Sequence, residues 1–153
     1  MILTRSELAQ IREQAEAEYP SECCGVIVAR NGSPGDRRLL ACRNVQNDLH
    51  ARDPVRYPRD ARTAFNIDPR DLLRIGSLED DGYHVQIIYH SHIDAGAYFS
   101  ETDKKNALIQ DEPTYPDAAY LVVSVVAGQA AATAAFRWNP NRRDFLPVEI
   151  QEP

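Results

Sequence analysis

The stretch that most constrains the fold is an apolar run, Val85-Gln86-Ile87-Ile88-Tyr89, that passes directly into His90-Ser91-His92-Ile93-Asp94-Ala95-Gly96-Ala97-Tyr98-Phe99-Ser100-Glu101-Thr102-Asp103. It reads as a strand ending near Tyr89, then a loop, then a segment with helical spacing, the kind of junction where sites commonly form. On an extended strand residues i and i+2 share a face, roughly 7 Å apart along the backbone, so both imidazoles can address one metal ion. Zinc takes nitrogen at about 2.1 Å in a tetrahedral set, and a catalytic zinc keeps three protein ligands and one open position for water. Asp103 is the best third ligand, because the loop from Ile93 to Phe99 is long enough to fold back and set a carboxylate from the following helix beside the strand end.

Each half of this stretch also has a plain structural reading. A histidine pair can be solvated or hydrogen-bonded, and Ser100 with Asp103 approximates a capping box, each side chain satisfying an orphan amide at a helix start. Together, however, His-Ser-His, seven intervening residues, Ser, two more residues and Asp closely resemble the JAMM (MPN+) metalloprotease signature. The glutamate that completes that signature matches Glu22, in Tyr19-Pro20-Ser21-Glu22-Cys23-Cys24-Gly25-Val26 just before an apolar strand. The resemblance covers nearly the whole chain. One departure is plain: the family commonly has proline after the second histidine, where this chain has Ile93, and Tyr98 and Phe99 precede the serine. The difference bears on loop conformation and substrate preference and leaves the metal ligands intact.

The resemblance implies an α/β (α+β) fold, a curved, mixed and largely antiparallel sheet flanked by helices and similar to the cytidine deaminase fold. It further implies that His90, His92 and Asp103 hold Zn²⁺. Glu22 would take a proton from the water and pass it to the departing amine, and the Ser100 hydroxyl would stabilise the tetrahedral oxyanion. The substrates so implied are peptide or isopeptide bonds after the Gly-Gly tail of a ubiquitin-like or sulfur-carrier protein. Such an extended tail can add to a sheet edge.

Residue patterns along the chain agree with such a fold. Thr4 to Ala17 is expected as a helix with a Thr4–Glu7 capping box. Gly25 to Arg30 and Arg38 to Cys42 form a hairpin across Asn31-Gly32-Ser33-Pro34-Gly35. Asn44 to Arg62, crowded with Arg, Asp and Pro, reads as a long surface loop inserted in the domain. Its arginines, Arg52, Arg56, Arg59 and Arg62, are either solvated or guide an acidic partner or a terminal carboxylate. Phe65 to Ile67 is expected as a short strand, and a helix capped by Asp68 with Pro69 at its first position should end near Gly76. Ser100 to Gln110 reads as a third helix and Pro113 to Pro116 as a connection. Tyr120 to Val126, Thr133 to Trp138 and a last strand near Phe145 to Ile150 follow.

A chain of 153 residues is about the size of one domain, so 1–153 is expected as one unit. Its formal charge of −6 argues against generic nucleic-acid binding. No apolar stretch approaches the length of a membrane span, and the N-terminus lacks a basic segment followed by an apolar core. Cys23, Cys24 and Cys42, odd in number with two adjacent, imply no disulfide framework, and a cytoplasmic location fits. Cys24 is expected to pack beneath its strand, and His50 and His84 are not expected to be ligands. Three other readings compete: a non-catalytic MPN scaffold lacking the ligands, a JAMM-like cell-wall peptide hydrolase, and the DNA-repair relatives whose His-x-His has asparagine in the middle. A zinc deaminase would need His-x-Glu and Pro-Cys-x-x-Cys, and neither occurs.

Overall fold

The computed structural model describes all 153 residues. In chain order the elements are α1 (Arg5–Glu18), β1 (Cys24–Arg30), β2 (Ser33–Cys42), α2 (Gln46–Arg52), α3 (Pro69–Asp80), β3 (Tyr83–Ile93), α4 (Glu101–Asn106), β4 (Leu108–Ile109), β5 (Glu112–Pro113), β6 (Ala119–Val126), β7 (Gln129–Asn139) and β8 (Asp144–Val148). Six strands form one sheet in the order β2-β1-β3-β6-β7-β8. Neighbours are antiparallel except β3 and β6, which run parallel at the centre. The expected mixed, largely antiparallel sheet flanked by helices is therefore the observed architecture.

Strand alternation sorts the core onto the two faces of the sheet. Ile27, Ile87, Tyr89, Leu121 and Val123 pack on one face with Ile11 and Ala15 of α1. Val26, Val28, Ile88, Tyr120 and Val122 pack on the other with Ile75 of α3 and the aromatic group Phe99, Phe136 and Phe145. The helix starts follow the sequence signals. Glu7 N donates to Thr4 Oγ1 (3.1 Å) and Thr4 N to the Glu7 carboxylate (3.0 Å), and Arg70 N donates to Asp68 (2.9 Å). Cys23 and Cys24 are fully buried on opposite faces, and all three cysteines are free. Burial pushes the Cys23 thiol up to about 12, with the charges of Glu18 and Glu22 adding to the rise against the Ser91 hydrogen bond.

Four expectations are corrected. β3 continues through the histidines to Ile93 instead of ending at Tyr89, because β6 pairs with it along that length, His90 opposite Val122 and His92 opposite Ser124. α3 passes through Gly76 to Asp80, since Leu78 carries the apolar spacing onto the core and one helical glycine costs only about 1 kcal/mol. α4 stops at Asn106, and the chain then forms the small β4–β5 hairpin, whose turn is Gln110 and Asp111, both at positive φ. Phe65 to Ile67 forms no strand, only a single bridge between Ile67 and Asn44.

The segment after β2 differs most from its expected form. It contains α2 and is tied down by side-chain amides. Asn44 Nδ2 donates to the carbonyls of Glu22 (2.9 Å) and Ala64 (3.2 Å), and its Oδ1 accepts from Gln46 N and Asn66 N (both 3.0 Å). Gln46, only 3% exposed, donates to the Arg59 carbonyl (2.8 Å), Asn47 accepts from Ala61 N (2.8 Å), and the Ala61 carbonyl accepts from Glu22 N (2.7 Å). Polar clamps of this kind have no hydrophobic period, so in sequence the segment reads only as a surface loop.

Gly25 shows how tightly the central strands meet the first helix. It pairs with Tyr89, whose hydroxyl donates to Gln14 of α1 (2.6 Å), and the phenol crosses the β1 backbone to reach it. A Cβ at Gly25 would overlap the Tyr89 ring and press on the Leu40 carbonyl. Gly25→Ala is therefore expected to lose about 3 kcal/mol of stability. Asn44→Ala, which strips four hydrogen bonds from partly buried groups, should lose a similar amount, about 3 kcal/mol. Urea midpoints at constant m-value check both; a loss below about 1 kcal/mol in either would contradict the packing or clamp described.

Candidate metal centre

β3 supplies two of the three donors. His90 and His92 sit on the same face of the strand as Ile88, His90 fully buried and His92 5% exposed. Phe65 stacks on the His90 ring (centroids 4.7 Å apart), and Tyr98 meets the His92 ring edge-on (4.8 Å). His92 Nδ1 lies 3.0 Å from the Gly96 carbonyl and donates to it, which leaves Nε2 as a lone-pair donor. Gly96 belongs to the Ile93–Phe99 loop, so the loop orients the ligand as well as returning the chain.

α4 supplies the third donor. Ser100 and Asp103 form the full capping box, Asp103 N donating to Ser100 Oγ (3.0 Å) and Ser100 N to the Asp103 carboxylate (2.9 Å). The capping and metal readings of these residues are thus compatible: the box fixes the Asp103 rotamer, and the same carboxylate faces the histidines. The Ser100 hydroxyl accepts within the box and keeps its own proton to donate.

The donor geometry fits a zinc ion. His90 Nε2 and His92 Nε2 are 3.2 Å apart, and Asp103 oxygens lie 3.2 Å from the first and 3.1 Å from the second. Ligands about 2.1 Å from a tetrahedral zinc stand roughly 3.4 Å from one another. Two imidazole nitrogens that face each other with lone pairs repel unless a cation lies between them, and Asp103 adds a negative charge to the same point. Burial works to raise the Asp103 pKa, but the two imidazoles that face it and the Ser100 amide outweigh it and hold the carboxyl well below the usual carboxylate range.

Glu22 and Ser100 line one polar cavity with His92, Tyr98, Arg59 and Arg62, of ≈ 370 Å³. Glu22 is 4% exposed, its backbone is held by Ala61 and Asn44, and its Oε1 has no hydrogen-bond partner. Burial, aided by the negative charge of Asp103 and opposed by Arg59, pushes its pKa up to about 9. A second, mostly apolar cavity of ≈ 220 Å³ touches His90 and Asp103 from the side of Phe65, Ile88 and Phe99. His50 and His84 stay outside the cluster, bonded to the Tyr57 carbonyl (2.7 Å) and to Asn31 (2.8 Å). All five residues expected at the site are thus gathered. Sequence reasoning missed Phe65 as the plate under His90, the Gly96 carbonyl and the Asn44 clamp. A backbone acceptor has no sequence signal, but an Asn flanked by two short unpatterned stretches could have suggested a clamp.

Comparisons with known proteins agree with this arrangement. The family model for prokaryotic homologs of the JAB domain matches residues 4–140. The chain is 32% identical over 111 residues to the CysO-cysteine peptidase of Mycobacterium tuberculosis, covering 72% of this chain and 63% of that protein. It is 30% identical over 120 residues to the desampylase of Haloferax volcanii, covering 78% and 73%. The chain therefore spans a little under two thirds of the mycobacterial relative. The solution structure of a protein from Desulfitobacterium hafniense superimposes with a TM-score of 0.69 at 22% identity, covering 100% of this chain and 93% of that one, a likeness of fold. With the sheet, the His-x-His strand and the family match all in agreement, the chain belongs to the JAMM (MPN+) family as one of the prokaryotic homologs of the JAB domain.

Proposed function

We propose that this protein is a cytoplasmic zinc-dependent peptidase or isopeptidase that hydrolyses the bond after the Gly-Gly tail of a ubiquitin-like or sulfur-carrier protein. The observation that carries the reading is the convergence of His90, His92 and Asp103 donor atoms within 4.8 Å of one another, beside a buried carboxyl with a free oxygen. The relatives named CysO-cysteine peptidase and desampylase support the substrate class. The three free, buried cysteines fit a reducing compartment. A non-catalytic scaffold gives no reason to bury three donors and Glu22 at one point.

When bound, zinc supplies Lewis acidity at the scissile carbonyl and brings the pKa of its water to about 7. The remaining work falls to the chain. Glu22 Oε1, unpartnered in the cavity wall, takes the proton of the attacking water and returns it to the leaving amine, and its raised proton affinity suits that transfer. The Ser100 hydroxyl, held by its cap, donates to the oxyanion. The buried setting of Glu22 and His92 limits stray water and strengthens these interactions.

Metal content and turnover separate these roles. Glu22→Gln should keep one zinc per chain and lose hydrolysis by about 10²- to 10⁴-fold, whereas His92→Ala should lose both. Mass spectrometry of Gly-Gly-extended carrier substrates and elemental analysis read the two. Equal turnover by Glu22→Gln and wild type would remove the proposed mechanism.

A second test uses metal-free protein. In the fold Glu22 keeps its proton up to about 9, against an ordinary value of 4.5. The folded state therefore binds more protons between those values, and the associated stability, fully present below 4.5, is lost as pH rises towards 9. Urea midpoints measured after chelation should fall more from pH 5 to pH 8.5 in wild type than in Glu22→Gln. Parallel curves would contradict the raised proton affinity.

A further inference from the structure

His92 is oriented by a backbone carbonyl, and a carbonyl orients a ring only as firmly as its own peptide is held. The carbonyl is that of Gly96, 3.0 Å from His92 Nδ1. Phe99 anchors the far end of this loop in the core, but the near end, Asp94 to Gly96, buries no side chain. Polar bonds from β6 and the turn after it hold that end instead. Asp94 N donates to the Val125 carbonyl (2.8 Å), and Asp94 Oδ1 accepts from Ala127 N (2.9 Å). Ser124 Oγ donates to the Ala95 carbonyl (2.5 Å), and the next carbonyl along is the one His92 uses. Ser124 is only 2% exposed and lies directly opposite His92 in the β3–β6 ladder. Asp94 takes φ 52°, a left-handed conformation that Asp tolerates better than most residues. Its other oxygen accepts from the Tyr19 hydroxyl (2.8 Å), three residues before Glu22, and from Arg62 (3.0 Å) on the cavity wall.

We propose that Asp94 and Ser124 are positioning residues of the metal centre. Neither is a donor to the ion; both act through the Gly96 carbonyl, which keeps the His92 ring in the tautomer and rotation that aim Nε2 at it. This rests on the zinc reading above. A neutral imidazole carries one ring proton, and a fixed acceptor at Nδ1 leaves the Nε2 lone pair for the metal. At 5% exposure, His92 has little solvent to replace that acceptor if residues 94–96 relax. The bonds differ in weight. The Arg62–Asp94 ion pair is exposed and contributes little, so the Ala127 amide, the Tyr19 hydroxyl and the buried Ser124 hydroxyl carry the restraint.

The test reads zinc affinity by chelator competition, at a temperature where NMR shows every variant folded. Asp94→Gly removes the carboxylate at a φ that glycine adopts freely, so backbone strain does not enter. Asp94→Gly and Ser124→Ala should each weaken zinc binding about 10-fold, and the two together about 100-fold. Asp94→Asn, which keeps an acceptor for Ala127 N, and Arg62→Ala, which removes only the exposed pair, should stay within about 3-fold of wild type. The visible absorption of the cobalt-substituted protein, which reports ligand geometry, should shift in the double variant and hold in Asp94→Asn. Unchanged zinc affinity in the double variant, even with a lower urea midpoint, would make both residues merely structural and overturn the assignment. So would a loss in Asp94→Asn as large as in Asp94→Gly, or a cobalt spectrum identical in all variants. Wild type that binds no zinc would remove the metal centre and this role together, whereas zinc held equally by wild type and the double variant would remove the role and spare the centre.

Discussion

The site depends on the parallel pairing of β3 with β6 in the middle of the sheet. Because β6 hydrogen-bonds to β3 as far as Ile93, His90 and His92 are carried on a strand rather than on a loop, and their spacing is fixed by the pleat. Antiparallel pairing with β1 holds the other side of the strand as far as His90, which lies opposite Cys24. Two imidazoles so placed have little freedom to relax away from one another. The 3.2 Å approach of their Nε2 atoms is thus imposed by the backbone.

What the sheet begins, short-range electrostatics completes. Asp103 reaches the histidines from a helix of only six residues, too short to be stable by propensity alone, and the reciprocal bonds with Ser100 make its start rigid. Two acids, Asp103 and Glu22, lie close enough for the charge of one to raise the proton affinity of the other. Buried like charges are tolerated when a cation is shared or when one acid stays protonated. Asp103, facing both rings, is the acid that stays ionised, and Glu22, with a free oxygen, is the one that holds a proton in the metal-free protein, where no cation offsets the charge of Asp103.

The polar clamp of Asn44, Gln46 and Asn47 joins the two ends of the site. It fixes the backbone of Glu22 from one side and of Arg59 and Ala61 from the other, so Glu22 and Arg59 are set by one amide network. On the opposite face of the sheet, Gly25 lets the Tyr89 phenol pass to Gln14, which ties the histidine strand to α1 through the residue just before His90. Strand, clamp and helix therefore place the site from three directions.

The sequence by itself determined the sheet class, most strands and helix starts, and that His90, His92 and Asp103 would converge, because those rest on local signals: period-two alternation, capping chemistry and a spacing of polar residues that few chemistries need. Tertiary structure alone decided how far β3 runs, since its end is set by a partner 32 residues on, and where α4 stops. It also decided that residues 44–66 form a clamp. Amides satisfy backbone groups distant in sequence, and neither hydrophobic period nor propensity records such pairs. Which acid each arginine of the segment meets likewise depends on the fold: Arg62 received Asp94, and Arg59 shares the cavity of Glu22.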